Sequence, residues 1–189
     1  MSDICVYCGS SNGNDPAFRD AARELGTLIA TGGHRLVYGG GHVGLMGVVA
    51  DAVLAHGGHV TGVMTEQLVS QEVAHQGLTQ LEVTISMHER KARMAELSDG
   101  VIALPGGFGT YEEVFEILTW NQLGLVNKPV VFCDVGGFYG PVFELIARAV
   151  DAGFVHGDHG AIAQRATDAR SALDLALAPA PPYLSKWAL

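Results

Sequence analysis

A three-layer α/β sandwich around a mainly parallel sheet is the fold predicted for this chain of 189 residues. Three observations predict it. Short apolar, β-rich runs alternate with segments of helical period along the whole chain. Those runs are nearly uninterrupted instead of alternating with polar residues, as burial on both faces of a sheet produces. Glycine clusters fall between a strand and the next helix, the place where open α/β sheets bind ligands. Helical crossovers link parallel strands in this way, so the class is Rossmann-like.

The elements follow in order. Ile4–Cys8 reads as the first strand. Pro16–Ile29 reads as a helix, capped by Asp15 with Pro16 in its first turn. Arg35–Tyr38 is a short strand, followed by Gly39-Gly40-Gly41 and a helix from about Val43 to Ala55. His59–Val63 is a third strand, and residues 65–80 read as irregular or weakly helical. Leu81–Ile85 reads as a strand and Ser86–Leu97 as a helix. Val101–Leu104 is strand-like and enters Pro105-Gly106-Gly107-Phe108-Gly109-Thr110, then a helix to about Leu123. Pro129–Asp134 is a strand, Tyr139–Ala152 a helix, Ala161–Gln164 a last strand and Asp168–Leu177 a last helix. Residues 1–178 are expected to form a single Rossmann-like domain, with 179–189 a proline-rich tail that leaves the core.

Composition narrows the function. Eleven Lys+Arg stand against 20 Asp+Glu, a net charge of −9. Duplex binding needs a basic field that releases counterions, so nucleic acid is not an expected partner. At 48% apolar and 16% charged residues the chain is no disordered segment. No apolar run reaches the roughly 18 residues of a spanning helix, so no membrane partner is expected. The opening residues carry no basic stretch, so a signal peptide is not expected. Three cysteines do not make a disulfide scaffold. Together these readings predict a soluble, cytoplasmic protein. Cys5 and Cys8 lie three residues apart on one strand and face opposite sides, which argues against a shared metal or redox role. His56/His59 and His156/His159 sit in glycine-rich loops without carboxylate partners, so no metal is expected there. Asp134 ends a strand, where it either touches ligand or caps a turn.

The chain holds 25 glycines, nearly twice the usual share of about 7%. Gly39, Gly41 and Gly44 match Gly-x-Gly-x-x-Gly, a pattern whose amides cradle phosphate at a helix N-terminus. It stands on the second turn, not the first, and tight helix–strand packing explains it as well. The second cluster, Pro105 to Thr110, again joins a buried strand to a helix. Thr110-x-x-Glu113 fits a capping box, so Glu113 reads either as a cap or as a functional carboxylate. Met87, Arg90, Lys91 and Met94 share one helical face. Arg90 and Lys91 there either flank an apolar stripe and snorkel, or supply cations to a nearby site.

At this point the residues resemble a known family. Cys8-Gly9-Ser10-Ser11, the Gly39–Gly47 loop, Met87-x-x-Arg90-Lys91 and Pro105-Gly106-Gly107-x-Gly109-Thr110-x-x-Glu113 are similar to motifs of the LONELY GUY (LOG) family. Glu72-Val73-Ala74-His75 and Thr119-Trp120-x-Gln122-Leu123-Gly124 are similar too. These proteins are cytokinin riboside 5′-monophosphate phosphoribohydrolases, often labelled lysine decarboxylases. The resemblance implies a Rossmann-like fold, a homodimer with sites near the subunit boundary, and no metal or redox cofactor. It implies hydrolysis of the N-glycosidic bond of an N6-modified AMP, releasing the free base and ribose 5-phosphate. The family's essential arginine and glutamate map onto Arg90 and Glu113. A decarboxylase would need a Schiff-base lysine for pyridoxal phosphate, and no local context supports one.

Such hydrolysis passes through an oxocarbenium-like sugar, which a nearby carboxylate stabilises. On this reading Glu113 acts beside the anomeric carbon and orients or activates water, while Arg90 neutralises and orients. Gly40, Gly41, Gly106, Gly107, Gly109, Thr110 and Ser10 bind substrate, chiefly its phosphate. Lys91 strengthens that binding, Met87 packs on the purine and Glu72 also contacts substrate. Two other readings keep the glycine loops: a general nucleoside-monophosphate nucleosidase of purine salvage, and a nucleotide carrier or sensor without catalysis.

Overall fold

The computed structural model describes residues 1–71 and 74–182. Among these residues seven strands form one all-parallel sheet: β1 (Asp3–Tyr7), β2 (Arg35–Tyr38), β3 (His59–Thr65), β4 (Gln80–Thr84), β5 (Gly100–Ala103), β6 (Val130–Cys133) and β7 (Ala163–Ala166). The spatial order is β4-β3-β2-β1-β5-β6-β7. Val6 pairs with Tyr38 on one side and Ile102 on the other. The chain builds outward from β1 to β4, then crosses back to β5. The crevice between the carboxyl ends of β1 and β5 is therefore the switch point at which such sheets bind ligands.

The helices lie in two layers. Helices α1 (Pro16–Thr31), α2 (Gly44–Ala55) and α8 (Ala169–Leu177) cover one face, and α4 (Met87–Leu97), α5 (Phe108–Gln122) and α6 (Gly140–Asp151) cover the other. Ile4, Val6 and Cys8 point into the first core, whereas Cys5 and Tyr7 point into the second. That alternation separates the two cysteines, as their spacing predicts. Burial pushes the Cys5 thiol up to about 12, helped by the nearby Glu113 carboxylate.

Local chemistry explains the helix starts. The Asp15 side chain accepts the Ala17 N–H at 2.9 Å, with Pro16 in the first turn. Ser86 caps α4 by accepting from the Glu89 N–H at 3.2 Å, and Glu89 reaches back to the Ile85 N–H at 3.1 Å. At Gly26 of α1 an added methyl would lie 2.5 Å from the Val49 carbonyl oxygen of α2, so a glycine lets these helices touch.

The differences from the expected elements are local. The stretch read as irregular or weakly helical resolves at its start as a short helix, α3 (Glu66–Ser70), capped by Thr65. A four-residue helix, α7 (Gly157–Gly160), occupies ground assigned to a loop, and β7 starts two residues later than expected because Ala161 closes that helix. Of the tail, Pro181 and Pro182 line a small recess with Asn121 and His159. The rest of it, 183–189, lies outside the described residues, as do Glu72 and Val73. Among the described residues no helix is long and apolar enough to cross a membrane.

Candidate active site

Four strand ends bring the candidate residues together. The Gly9 N–H after β1 donates to the Pro105 carbonyl after β5 at 3.1 Å, and the Leu45 N–H of α2 donates to the Gly9 carbonyl at 3.0 Å. These bonds knit both glycine clusters to the β1 turn. Ser10, Gly13, Phe18, Phe138, Gly106 and Gly107 line a cavity of about 220 Å³ at this switch point.

The second cluster leads into α5, whose N-cap is Gly107 and which no side chain caps. The N–H groups of its first turn have no partners within the helix, and the helix dipole places partial positive charge there. Thr110 is buried, with its hydroxyl against Gly106; a methyl at Gly106 would lie 2.1 Å from that oxygen. At Gly107 and Gly109 an added methyl would meet nothing within 4 Å.

The first cluster is filled differently. A methyl on Gly39 would lie 2.4 Å from Nη2 of Arg90. Gly40 has φ +78°, and a methyl there would lie 2.4 Å from the Met64 side chain. Gly41 forms an isolated antiparallel bridge with Ala74, and its carbonyl accepts the Tyr38 hydroxyl at 3.1 Å. The Gly40 carbonyl accepts the His75 N–H at 2.9 Å. Packing inside the chain thus accounts for Gly39 and Gly40, and the three carbonyls accept from Arg90, His75 and Tyr38 in turn.

Arg90 sits at the meeting point, its side chain only 7% exposed. Nε donates to the Val63 carbonyl at 2.8 Å, Nη2 to the Gly39 carbonyl at 3.4 Å and Nη1 to Glu113 Oε1 at 3.0 Å. It does not snorkel. The Glu113 side chain is 12% exposed. Burial pushes its carboxyl above the usual range, while the Arg90 guanidinium pulls it back only in part. Glu113 is no cap: α5 starts at Phe108, so Thr110 lies inside the first turn and Glu113 a turn further along.

Lys91 points elsewhere than expected. Its ammonium bonds Glu112 and reaches Glu116 at 3.0 Å. Burial pulls that ammonium down, but the two carboxylates outweigh it and the net shift is upward. Met87 is half-exposed at the start of α4, and Ser10 is exposed beside the cavity. Glu72 lies outside the described residues. Asp134 resolves as a turn cap, accepting the Tyr139 N–H at 2.5 Å and Arg165 Nε at 2.7 Å. The pairing of Lys91 with Glu112 and Glu116 was missed from sequence, although two adjacent cations and three acids on the next helix signal it.

A pyridoxal-dependent decarboxylase does not fit these residues. Of the two described lysines, Lys91 is ion-paired twice and Lys128 donates to the Ala95 and Ser98 carbonyls.

The model of a family described as possible lysine decarboxylase matches residues 46–176. Cytokinin riboside 5′-monophosphate phosphoribohydrolase LOG1 of Arabidopsis thaliana is 47% identical over 152 residues, covering 80% of this chain and 71% of its own. The LOG enzyme of that name from Oryza sativa subsp. japonica is 47% identical over 167 residues, covering 88% and 69%. Among solved structures, the Moco carrier protein of Chlamydomonas reinhardtii superposes with a TM-score of 0.69 at 24% identity, covering 92% of this chain and 94% of that one. That likeness concerns the fold alone. With relatives identical at nearly half of the aligned positions over most of its length, this chain belongs to the LOG family of cytokinin riboside 5′-monophosphate phosphoribohydrolases.

Proposed function

We propose that the protein hydrolyses the N-glycosidic bond of N6-modified AMP, releasing a free cytokinin base and ribose 5-phosphate, with AMP itself as a poorer substrate. The observation that carries this reading is the buried Arg90–Glu113 pair beside an uncapped helix start at the sheet's switch point. Family membership supplies the substrate class.

In this mechanism the first-turn amides of α5, with Gly106, Gly107, Gly109 and Thr110, hold the 5′-phosphate, and Ser10 lines the same cavity. Open space at Gly107 and Gly109 supports that assignment, since nothing in the chain itself fills it. Glu113, ionised, faces the anomeric carbon, stabilises the developing positive charge and orients the attacking water. Arg90 keeps that carboxylate ionised against burial and fixes its direction. Lys91 balances Glu112 and Glu116, so that the extra negative charge of α5 does not oppose the phosphate. Gly40 and Gly41 shape the Arg90 side of the pocket. Met87 stacks on the purine, and Glu72 contacts the substrate.

The same reading takes residues 1–178 as one catalytic unit with 179–189 as a tail. It places a homodimer in the cytoplasm. An apolar groove lined by Phe115, Leu118, Leu145 and Ile146 supports self-association, and three unpaired cysteines suit a reducing compartment.

Incubation with N6-isopentenyl-AMP and with AMP, followed by chromatography of the released bases, tests the proposal. Base release with a higher kcat/KM for the modified nucleotide is expected. Equal values point to a salvage nucleosidase, and binding without release points to a carrier.

A further inference from the structure

Tyr139 leads into α6, and its side chain is fully buried. Its hydroxyl donates to the Leu104 carbonyl at 2.6 Å. Leu104 lies one residue past the last registered pair between β5 and β6, immediately before the Pro105 turn. The N–H of Leu104 is taken by the Tyr7 carbonyl at 2.9 Å, and the Pro105 carbonyl accepts from Gly9. Beyond the turn, the Tyr139 ring meets the Tyr111 ring edge-on, with centroids 6.4 Å apart. Tyr111 is in the first turns of α5, next to Thr110. One side chain therefore touches both ends of the Pro105–Thr110 turn.

Tyr139 is itself held. Its N–H donates to Asp134, whose other carboxylate oxygen takes Arg165 Nε from β7. Its ring packs edge-on against Phe132 and Phe138, at 4.9 and 5.0 Å. Gly136 and Gly137, with φ of +61° and +80°, make the reversal that returns Tyr139 to the core. A phenylalanine would fill the same volume. The hydroxyl adds the bond to Leu104 and nothing else in the packing.

We propose that Tyr139 is a positioning residue for the phosphate-binding turn: its hydroxyl fixes the Leu104 carbonyl and so aims the amides of Gly107 to Thr110. This inference rests on the reading that those amides hold the 5′-phosphate. Tyr139 itself does not touch substrate.

The test compares Tyr139→Phe with Phe132→Leu, which disturbs the same aromatic cluster without touching a hydrogen bond of the turn. Calorimetric titration with AMP and with inorganic phosphate gives affinity, steady-state hydrolysis gives kcat and KM separately, and thermal unfolding gives Tm. Tyr139→Phe is expected to weaken both ligands about fivefold, the value of one net hydrogen bond, and to raise KM with little change in kcat. Phe132→Leu is expected to lower Tm at least as far with affinity unchanged. Wild-type affinity in Tyr139→Phe overturns the inference, and so does equal weakening in both variants. Wild-type protein that binds AMP without releasing base refutes the hydrolase reading alone, and the affinity comparison still decides the role of Tyr139.

Discussion

A methyl group added at Gly39 would lie 2.4 Å from the Arg90 guanidinium, whereas one added at Gly107 or Gly109 would meet nothing within 4 Å. Both glycine clusters join a buried strand to a helix, and in sequence they look alike. In the fold they do opposite things. The first is packed full by Arg90, Met64 and the 74–75 loop, so its glycines make room for the chain's own atoms. The second opens outward at Gly107 and Gly109, which leave room for something the chain does not supply, while Gly106 lets Thr110 and the β1 turn pack close. A glycine-rich turn is therefore evidence for a ligand only where the missing side chain faces empty space.

Five measurements sharpen or break this contrast. Removing charge from the residue between the clusters has the largest effect: Glu113→Gln keeps AMP binding and loses roughly 10²–10⁴-fold in turnover, the usual range for a positioned acid–base group. Normal hydrolysis by that variant would sink the mechanism. Gly39→Ala comes next. It pushes the guanidinium away from Glu113, and a displacement of that size costs about 10²-fold in kcat. A variant with wild-type kcat would show that Arg90 tolerates movement.

Gly109→Ala separates the clusters most cleanly. The residue lies in the first turn of α5 at negative φ, so alanine stabilises the fold by about 0.5 kcal/mol by restricting the unfolded chain. The same methyl intrudes on the phosphate, lowering affinity roughly tenfold, as for one lost charged hydrogen bond. Higher Tm with unchanged KM would mean that the open space is not the phosphate site. The pH profile follows from Glu113. The ionised form is the active one and burial raises its pKa, so the acid limb of kcat falls at a higher pH than an ordinary glutamate's 4.3 or so would give. An acid limb at or below that value contradicts a desolvated carboxylate. The smallest effect is expected at Lys91→Met, because its ammonium already serves Glu112 and Glu116. Phosphate affinity should stay unchanged, and a clear loss would return Lys91 to the phosphate.

Much of the fold was legible because burial on both faces writes continuous apolar runs. Val130–Cys133 and Gly100–Ala103 are buried throughout, and both were found within a residue or two. The edge strand β7 reads Ala-Gln-Arg-Ala, half polar and four residues long, and carries no such run. The short helix α7 is not legible because four residues are too few to display a period, and α3, five residues long, leaves only the weak helical character of 65–80.

The candidate site was legible as a set of motifs, not as an arrangement. Arg90 and Glu113 are 23 residues apart, and they meet only because α4 and α5 lie on the same face of the sheet. The capping-box spacing at Thr110 was real in sequence but idle in structure, because α5 begins two residues earlier. Lys91, adjacent to Arg90, points to different acids, since neighbouring residues on a helix face directions about 100° apart.

The guanidinium of Arg90 is held by two main-chain carbonyls, those of Val63 and Gly39, and by a single side chain. Main-chain oxygens stay in place whatever residue carries them, provided the strand keeps its register and position 39 keeps no side chain. On the proposed reading that Met87 packs on the purine, exchanging that half-exposed side chain is expected to alter which bases are accepted while the main-chain anchor of Arg90 stays in place.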